Sequence, residues 1–146
     1  MKISVVESKE IEETEVIIKC KSKDNDILEI EKSLTYLNRI VTGKIAGRNY
    51  TLTPNQIYYF DSIDNKVFAY TKDQVYDINL KLYQLEDIFH NTPFIRINKS
   101  TVLNTRKIQS FSSSINGRME AVLKNKERVI ISRKYVPILR NMLGGK

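Results

Sequence analysis

Apolar and polar residues alternate over most of the chain with the period of a half-buried β-strand. Asn116-Gly117 is the strongest hairpin signal, because both residues tolerate the positive φ of a type I′ turn, and a second hairpin is expected about Lys72-Asp73. The alternation predicts strands in the stretches KISVVE, TEVIIKCKS, RIVTGKIAGRNYTL, IYYFDSI, KVFAYT, QVYDINL, FIRINKSTVLN, KIQSFSSS, RMEAVLK and RVIIS.

Three stretches have apolar residues at helical spacing instead. They are DNDILEIEKSLTYLN, KLYQLEDIF and RKYVPILRNML. Asp24 or Asp26 is placed to cap the first helix. In the last helix Pro137 is tolerated only in the first turn, and Gly144-Gly145 are expected to end it.

The predicted elements divide the chain into two parts. Residues 1–40, with two strands and one helix, form a small α/β N-terminal extension, and residues 41–146 form a mainly β domain. Cys20 lies in the second of these early strands, where a small buried hydrophobe is expected. The predicted fold class is therefore mainly β (α+β), with antiparallel strands and short helices.

Composition is typical of a globular protein that works in a reducing compartment. Hydrophobic residues make up 41% of the chain and charged residues 28%, which excludes a disordered polyelectrolyte. No apolar run approaches the roughly 20 residues that span a bilayer. The single cysteine excludes an internal disulfide and favours the cytoplasm.

The side chains that most enzymes need are missing from the sequence. His90 is the only histidine, so a two-histidine metal site is impossible. The glycine-rich loops that hold nucleotide phosphates and the serine elbow of hydrolases are absent as well. We therefore expect no enzymatic activity, no metal, no cofactor and no small-molecule substrate.

Positive charge is concentrated in the last third of the chain. Residues 94–146 hold twelve lysines and arginines against two glutamates, a net charge of +10, whereas residues 1–93 hold twelve against fifteen acids, a net charge of −3. A lysine surface that serves only solubility does not predict this division. A polyanionic partner that approaches one part of the molecule does.

Three stretches, taken together, resemble the LytTR family of bacterial DNA-binding domains. They are IYYFDSIDNKVFAYT (57–71), FIRINKSTVLNTRKIQSF (94–111) and RVIISRKYVPIL (128–139), and their order and spacing follow the family pattern. The resemblance implies an elongated antiparallel β-sandwich of small sheets. It also implies that loops, rather than a helix-turn-helix, read the major groove of duplex DNA.

The resemblance also implies which residues contact DNA. Base-reading positions fall at Asn65-Lys66, Asn98-Lys99 and Arg133-Lys134, and phosphate contacts at Ser100, Arg106, Lys107 and Tyr135. Many members have histidine and arginine where this chain has Asn98 and Lys99, so a planar guanidinium is replaced by a point charge. Arg96 also matches the family motif, either as a DNA contact or as a structural partner of Asp61 or Asp64.

The resemblance further implies partners. About forty residues precede the LytTR-like part, too few for a phospho-receiver domain, so a short stand-alone transcriptional regulator is expected. Such a regulator would bind duplex DNA as a homodimer or in pairs on repeated sites, with a membrane protein as a possible inhibitor. The N-terminal extension would dock onto the β domain, pair two subunits or meet another protein.

Two other functions remain open from the sequence. An RNA- or single-strand-binding β module would stack bases on aromatic side chains, and a protein-binding adaptor would leave the basic third without a role. The stacking platform would come from Tyr58, Tyr59, Phe60, Phe68 and Tyr70.

Overall fold

A computed structural model describes residues 1–144 of the chain. Within them, ten strands form two antiparallel sheets and three short α-helices pack against them, so the mainly β class is confirmed. The helices are α1 Asn25–Leu37, α2 Leu82–Ile88 and α3 Val136–Met142. The strands are β1 Val41–Ile45, β2 Arg48–Leu52, β3 Tyr59–Ile63, β4 Lys66–Tyr70, β5 Val75–Ile78, β6 Phe94–Asn98, β7 Thr101–Asn104, β8 Ile108–Ser113, β9 Met119–Leu123 and β10 Arg128–Ile131.

The larger sheet has seven strands in the order β2-β1-β5-β4-β3-β7-β6, and the smaller has three in the order β10-β9-β8. Short turns join most neighbours, which is why sequential strands pair antiparallel. Asp61 of β3 faces Thr101 of β7 in the register of the larger sheet. The strand order places the β6–β7 hairpin at one edge of this sheet, and the turn of the hairpin projects beyond the end of the strands.

Two hydrophobic cores hold the sheets together, and the β6–β7 hairpin contributes to both. The first core packs α1 and α2 on the larger sheet, and includes Phe94 and Val102. The second packs the smaller sheet and α3 on the hairpin, and includes Ile97 and Leu103. Successive residues of a strand point to opposite faces, so Val102 and Leu103 enter different cores.

The two strands predicted near the N-terminus do not form, and this part of the prediction is wrong. Residues 1–24 contain no strand and are exposed apart from the partly buried Ile18. Cys20, expected to be buried, is exposed as well. Alternation specifies a strand only where a partner strand and a core are available, and two strands without them are marginal in water.

Helix α1 does form, and it packs into the first core. The Asp24 side chain accepts a hydrogen bond from the backbone nitrogen of Ile27 over 3.1 Å, as expected for a capping residue. At the other end of α1, Tyr36 is fully buried and its ring lies 6.0 Å from that of Phe94. The helix thus contributes a core aromatic side chain.

The other predicted elements between residues 41 and 144 are confirmed. Asn116 and Gly117 have φ of 59° and 74° in the β8–β9 turn, and the residues 71–74 join β4 to β5. Pro137 lies in the first turn of α3. Gly145, predicted to help end α3, lies outside the described residues. No helix in residues 1–144 is long and apolar enough to cross a membrane.

The exposure of residues 1–23 and the burial of Tyr36 predict opposite effects on stability. Removal of residues 1–23 should change the free energy of unfolding by less than about 0.5 kcal/mol, because surface changes of this kind are small. Tyr36→Ala should lower it by about 3 kcal/mol or more, because a large core side chain is lost. Urea denaturation measures both, and a strongly destabilised truncation would contradict the assignment.

Candidate nucleic-acid interface

The β3–β4 and β6–β7 turns project from the same end of the larger sheet. In the β3–β4 turn, Asp64 and Asn65 have φ of 51° and 65°, the left-handed conformation that short polar side chains tolerate. The backbone nitrogen of Ser62 donates to the Ser100 carbonyl over 2.8 Å. Asn65, Lys66, Lys99 and Ser100 are therefore brought to one end of the molecule.

The segment after β10 joins the same end. The backbone nitrogen of Ser132 donates to the Ile97 carbonyl over 2.8 Å, which ties the end of β10 to the end of β6. Arg133 and Lys134 follow in a single 3-10 turn, and both are exposed. We call the surface formed by residues 64–66, 98–100 and 132–134 the loop end.

Lys99 and Arg133 are two free cations of the loop end. Both side chains are exposed, and within residues 1–144 neither forms an ion pair or a side-chain hydrogen bond. An unpaired charge on a rigid support is available to an anionic or hydrogen-bonding partner. The arrangement can therefore place two donors on one nucleic-acid surface.

Arg96 is engaged by contacts within the chain, which favours the structural one of the two roles that the sequence left open. Its guanidinium pairs with Glu86 of α2 over 3.1 Å rather than with Asp61 or Asp64. Its Nε donates to the Asn98 carbonyl over 2.8 Å, and a terminal nitrogen donates to the Lys99 carbonyl. These bonds hold the backbone on which the Lys99 side chain is carried.

Asn98 is also engaged within the chain. Its Oδ1 accepts from the Ser100 backbone nitrogen over 2.9 Å and from the Ser100 hydroxyl over 3.1 Å. Its Nδ2 donates to the Ile130 carbonyl over 3.3 Å. The amide thus closes the β6–β7 turn and links it to β10. Its geometry favours a supporting role, and base reading by Asn98 remains a prediction.

The remaining candidates do not all reach the loop end. Arg106 and Lys107 follow the opposite end of β7, where each lies over a tyrosine ring at 5.1 and 5.0 Å. Burial, and then the charge of Lys124, lowers the pKa of Lys107. Tyr135 is half-buried, with the Lys134 ammonium 5.4 Å from its ring.

Lys81 adjoins the loop end, and the sequence did not indicate it. Its Nζ donates to the Asn65 carbonyl over 3.2 Å, which places a further cation beside the β3–β4 turn. It precedes α2 and lies outside the basic segment 94–146, and the pairing of β5 with β4 returns the chain to the β3–β4 turn just before it. No local signal could have identified it.

The aromatic residues considered for base stacking are largely occupied. Phe60 and Tyr58 are buried, and the Tyr59 ring stacks on Tyr70 at 4.5 Å. The Tyr59 hydroxyl donates to Glu127 over 2.7 Å, and burial together with this carboxylate raises the pKa of Tyr59. These contacts occupy the aromatic side chains within the protein.

Within residues 1–144, no group of three or more histidine, cysteine, aspartate or glutamate side chains could hold a metal ion.

Comparison with known proteins identifies the family. The family model described as the LytTr DNA-binding domain matches residues 47–144, about two thirds of the chain. The chain belongs to the LytTR family. The solved LytTr DNA-binding domain from Bacillus cereus shares the fold, with a TM-score of 0.67 over 72% of this chain and 96% of that domain, at 22% identity.

Two curated relatives are similar to this LytTR chain in sequence. Sensory transduction protein LytT of Enterococcus faecalis is 30% identical over 97 residues, which are 66% of this chain and 40% of LytT. This LytTR chain thus matches about two fifths of that relative's length. An uncharacterized HTH-type transcriptional regulator of Staphylococcus aureus is 28% identical over 119 residues, 82% of this chain and 77% of that protein.

The contacts of Asn98 and Lys99 predict different effects of their removal on stability. Asn98→Ala should lower the free energy of unfolding by about 1–3 kcal/mol, because several hydrogen bonds are lost and their partners are left unpaired. Lys99→Ala should change it by less than about 0.5 kcal/mol, because the side chain is exposed and unpaired. Urea denaturation of both variants checks this, and equal effects would contradict the supporting role of Asn98.

Proposed function

We propose that this LytTR chain is a transcriptional regulator that binds duplex DNA sequence-specifically and reads the major groove through the loop end. The observation that carries the proposal is the placement of Lys99 and Arg133. Two unpaired cations stand on adjacent strand ends that backbone hydrogen bonds hold together. Rigid elements that present such side chains are suited to reading base edges.

Each candidate side chain has a matching chemistry on DNA. Lys99 and Arg133 can donate to O6 and N7 of guanine, and Asn65 can pair with adenine through two hydrogen bonds. Lys66 and Lys134, which the resemblance gives as base-reading positions, can donate to the same guanine atoms. Ser100 is better suited to phosphate oxygens, which fix the orientation of the protein without reading sequence. Arg133 alone among them offers a planar fork for bidentate pairing.

The regulatory role is supported by the two relatives, one of which is named a transcriptional regulator and the other a sensory transduction protein. Reading by loops also fits the order of the elements. Within residues 1–144, strands separate every pair of successive α-helices, so the described part of the chain contains no helix-turn-helix. Two copies bound on repeated DNA sites would contact twice as many base pairs as a single loop end. We propose paired binding on that ground.

Alanine substitution of Lys99 and Arg133 tests the proposal. The probe is a labelled duplex enriched from a random pool by the parent chain. Lys99→Ala and Arg133→Ala should each weaken binding by about 1–3 kcal/mol if the residue reads a base, with relaxed preference at one or two base pairs. Fluorescence anisotropy measures the affinity.

Matched controls are available on the same sheet. Lys72 and Arg48 are exposed, and each lies at or beside a turn at the opposite end of the strands. Lys72→Ala and Arg48→Ala each remove one positive charge, as Lys99→Ala and Arg133→Ala do. These control variants should bind the duplex as the parent does. Parent-like binding by Lys99→Ala or Arg133→Ala would overturn the role of that residue.

The preference for duplex over single strands distinguishes duplex recognition from the single-strand alternative, and the salt dependence of binding measures the phosphate contacts. For a duplex, the logarithm of the binding constant should fall by roughly 0.9 per phosphate contacted for each tenfold rise in salt, because counterions are released. Titrations of a duplex, a single-stranded DNA and a single-stranded RNA at several salt concentrations measure this. Tighter binding of either single strand than of the duplex would favour a base-stacking module. A flat response would contradict phosphate contacts altogether.

A further inference from the structure

A glycine in the β8–β9 turn lies against the Arg133 side chain. A Cβ built on Gly117 would be 2.7 Å from the Arg133 Cδ and 3.1 Å from its Cγ. Contacts under 3.0 Å essentially never occur for real Cβ atoms. The stem of Arg133 therefore occupies space that only a glycine leaves open.

The backbone is held on both sides of this contact. On one side, the Ser132 nitrogen bonds to Ile97 over 2.8 Å, and the Tyr135 nitrogen bonds back to Ser132 over 2.9 Å. On the other side, the Ser114 nitrogen bonds to the Arg118 carbonyl over 2.9 Å and closes the β8–β9 turn. The position of the turn relative to Arg133 is thus set by the fold.

We propose that Gly117 is a positioning residue that seats the Arg133 side chain for DNA contact. This inference rests on the proposed function, because it requires Arg133 to touch DNA. Within residues 1–144 no ion pair or hydrogen bond holds the guanidinium, so the close contact of the stem with Gly117 is what limits its rotamers. A side chain that is ordered before binding loses less conformational entropy on binding.

The atoms that a new Cβ would meet belong to a flexible side chain and not to backbone. The fold can therefore accommodate Gly117→Ala by moving Arg133. The substitution should displace the guanidinium while leaving the rest of the loop end in place. A packing role alone, in which Arg133 merely covers the turn, predicts a loss of stability and no specific loss of DNA binding.

Gly47 provides the matched control. It has φ of +79° against +74° for Gly117, so alanine is strained to a similar degree at both positions. A Cβ on Gly47 meets no heavy atom within 4 Å. Gly47 lies in the β1–β2 turn, at the opposite end of the sheet from the loop end and three strands from β7. Gly47→Ala thus reproduces the backbone strain without the contact.

The experiment compares Gly117→Ala with Gly47→Ala in the full chain, each in the parent and in the Arg133→Ala background. The probe is the duplex enriched by the parent chain. Both glycine variants should lower the unfolding temperature to a similar extent. Only Gly117→Ala should weaken duplex binding, about fivefold or more, with relaxed preference at the base pairs that Arg133→Ala also relaxes. In the Arg133→Ala background Gly117→Ala should cause no further loss.

A second variant keeps the test valid if Gly117→Ala folds poorly. Gly117→Asn adds a Cβ, but asparagine tolerates positive φ better than alanine does, so it should weaken binding with a smaller loss of stability. Binding by both Gly117 variants equal to that of Gly47→Ala would overturn the inference. If Gly117→Ala weakened duplex binding as much in the Arg133→Ala background as in the parent, the inference would also be overturned. If Arg133→Ala itself binds as the parent does, the role of Arg133 in the proposed function fails together with the inference.

Discussion

The position of the loop end depends on one hairpin that is shared between two cores. Val102 packs with the helices α1 and α2, and the next residue, Leu103, packs with the smaller sheet and α3. A shift of the β6–β7 pairing by one residue would send each side chain to the wrong core. Both cores therefore specify the same register, and this fixes how far the β6–β7 turn projects.

The turn itself is held by polar contacts that the two cores cannot supply. Arg96 connects its carbonyls to Glu86 of α2, and the Asn98 amide connects it to β10. Arg96 is only 22% exposed, so its ion pair with Glu86 is less screened by water than a surface pair. A cationic segment thus contains one arginine that supports the backbone and one lysine that is left free. The difference lies in burial and partners, not in residue type.

The sequence predicted the parts of the molecule that local rules control. Alternation placed the strands from residue 41 onward, and Asn116-Gly117 predicted its turn because few residues accept positive φ. The same alternation failed before residue 25, where no partner strand or core exists. Strand pairing brings together the three segments of the loop end, residues 64–66, 98–100 and 132–134. The sequence indicated these segments only through the resemblance to the family.

Individual roles within the site needed the three-dimensional arrangement. Glu86 belongs to another element than Arg96, and nothing in the segment FIRINKSTVLN indicates that pair. Asn98 was predicted to face DNA, yet its amide is engaged with Ser100 and Ile130. Arg106 and Lys107 belong to the same basic stretch as Lys99 in sequence but follow the far end of β7. Sequence proximity on a strand does not imply proximity on the surface.

The exposed thiol of Cys20 has a practical consequence for measuring how many copies assemble. It lies in a segment without strand or helix, where nothing shields the sulfur from a second molecule. A peroxide in the buffer can oxidise an accessible thiolate to a sulfenic acid, and the Cys20 thiol of a second chain then displaces water from it to form a disulfide. Such a species would elute as a dimer in size-exclusion chromatography although no folded surface holds it together. A Cys20→Ser chain separates this cross-link from association through the protein's own surface.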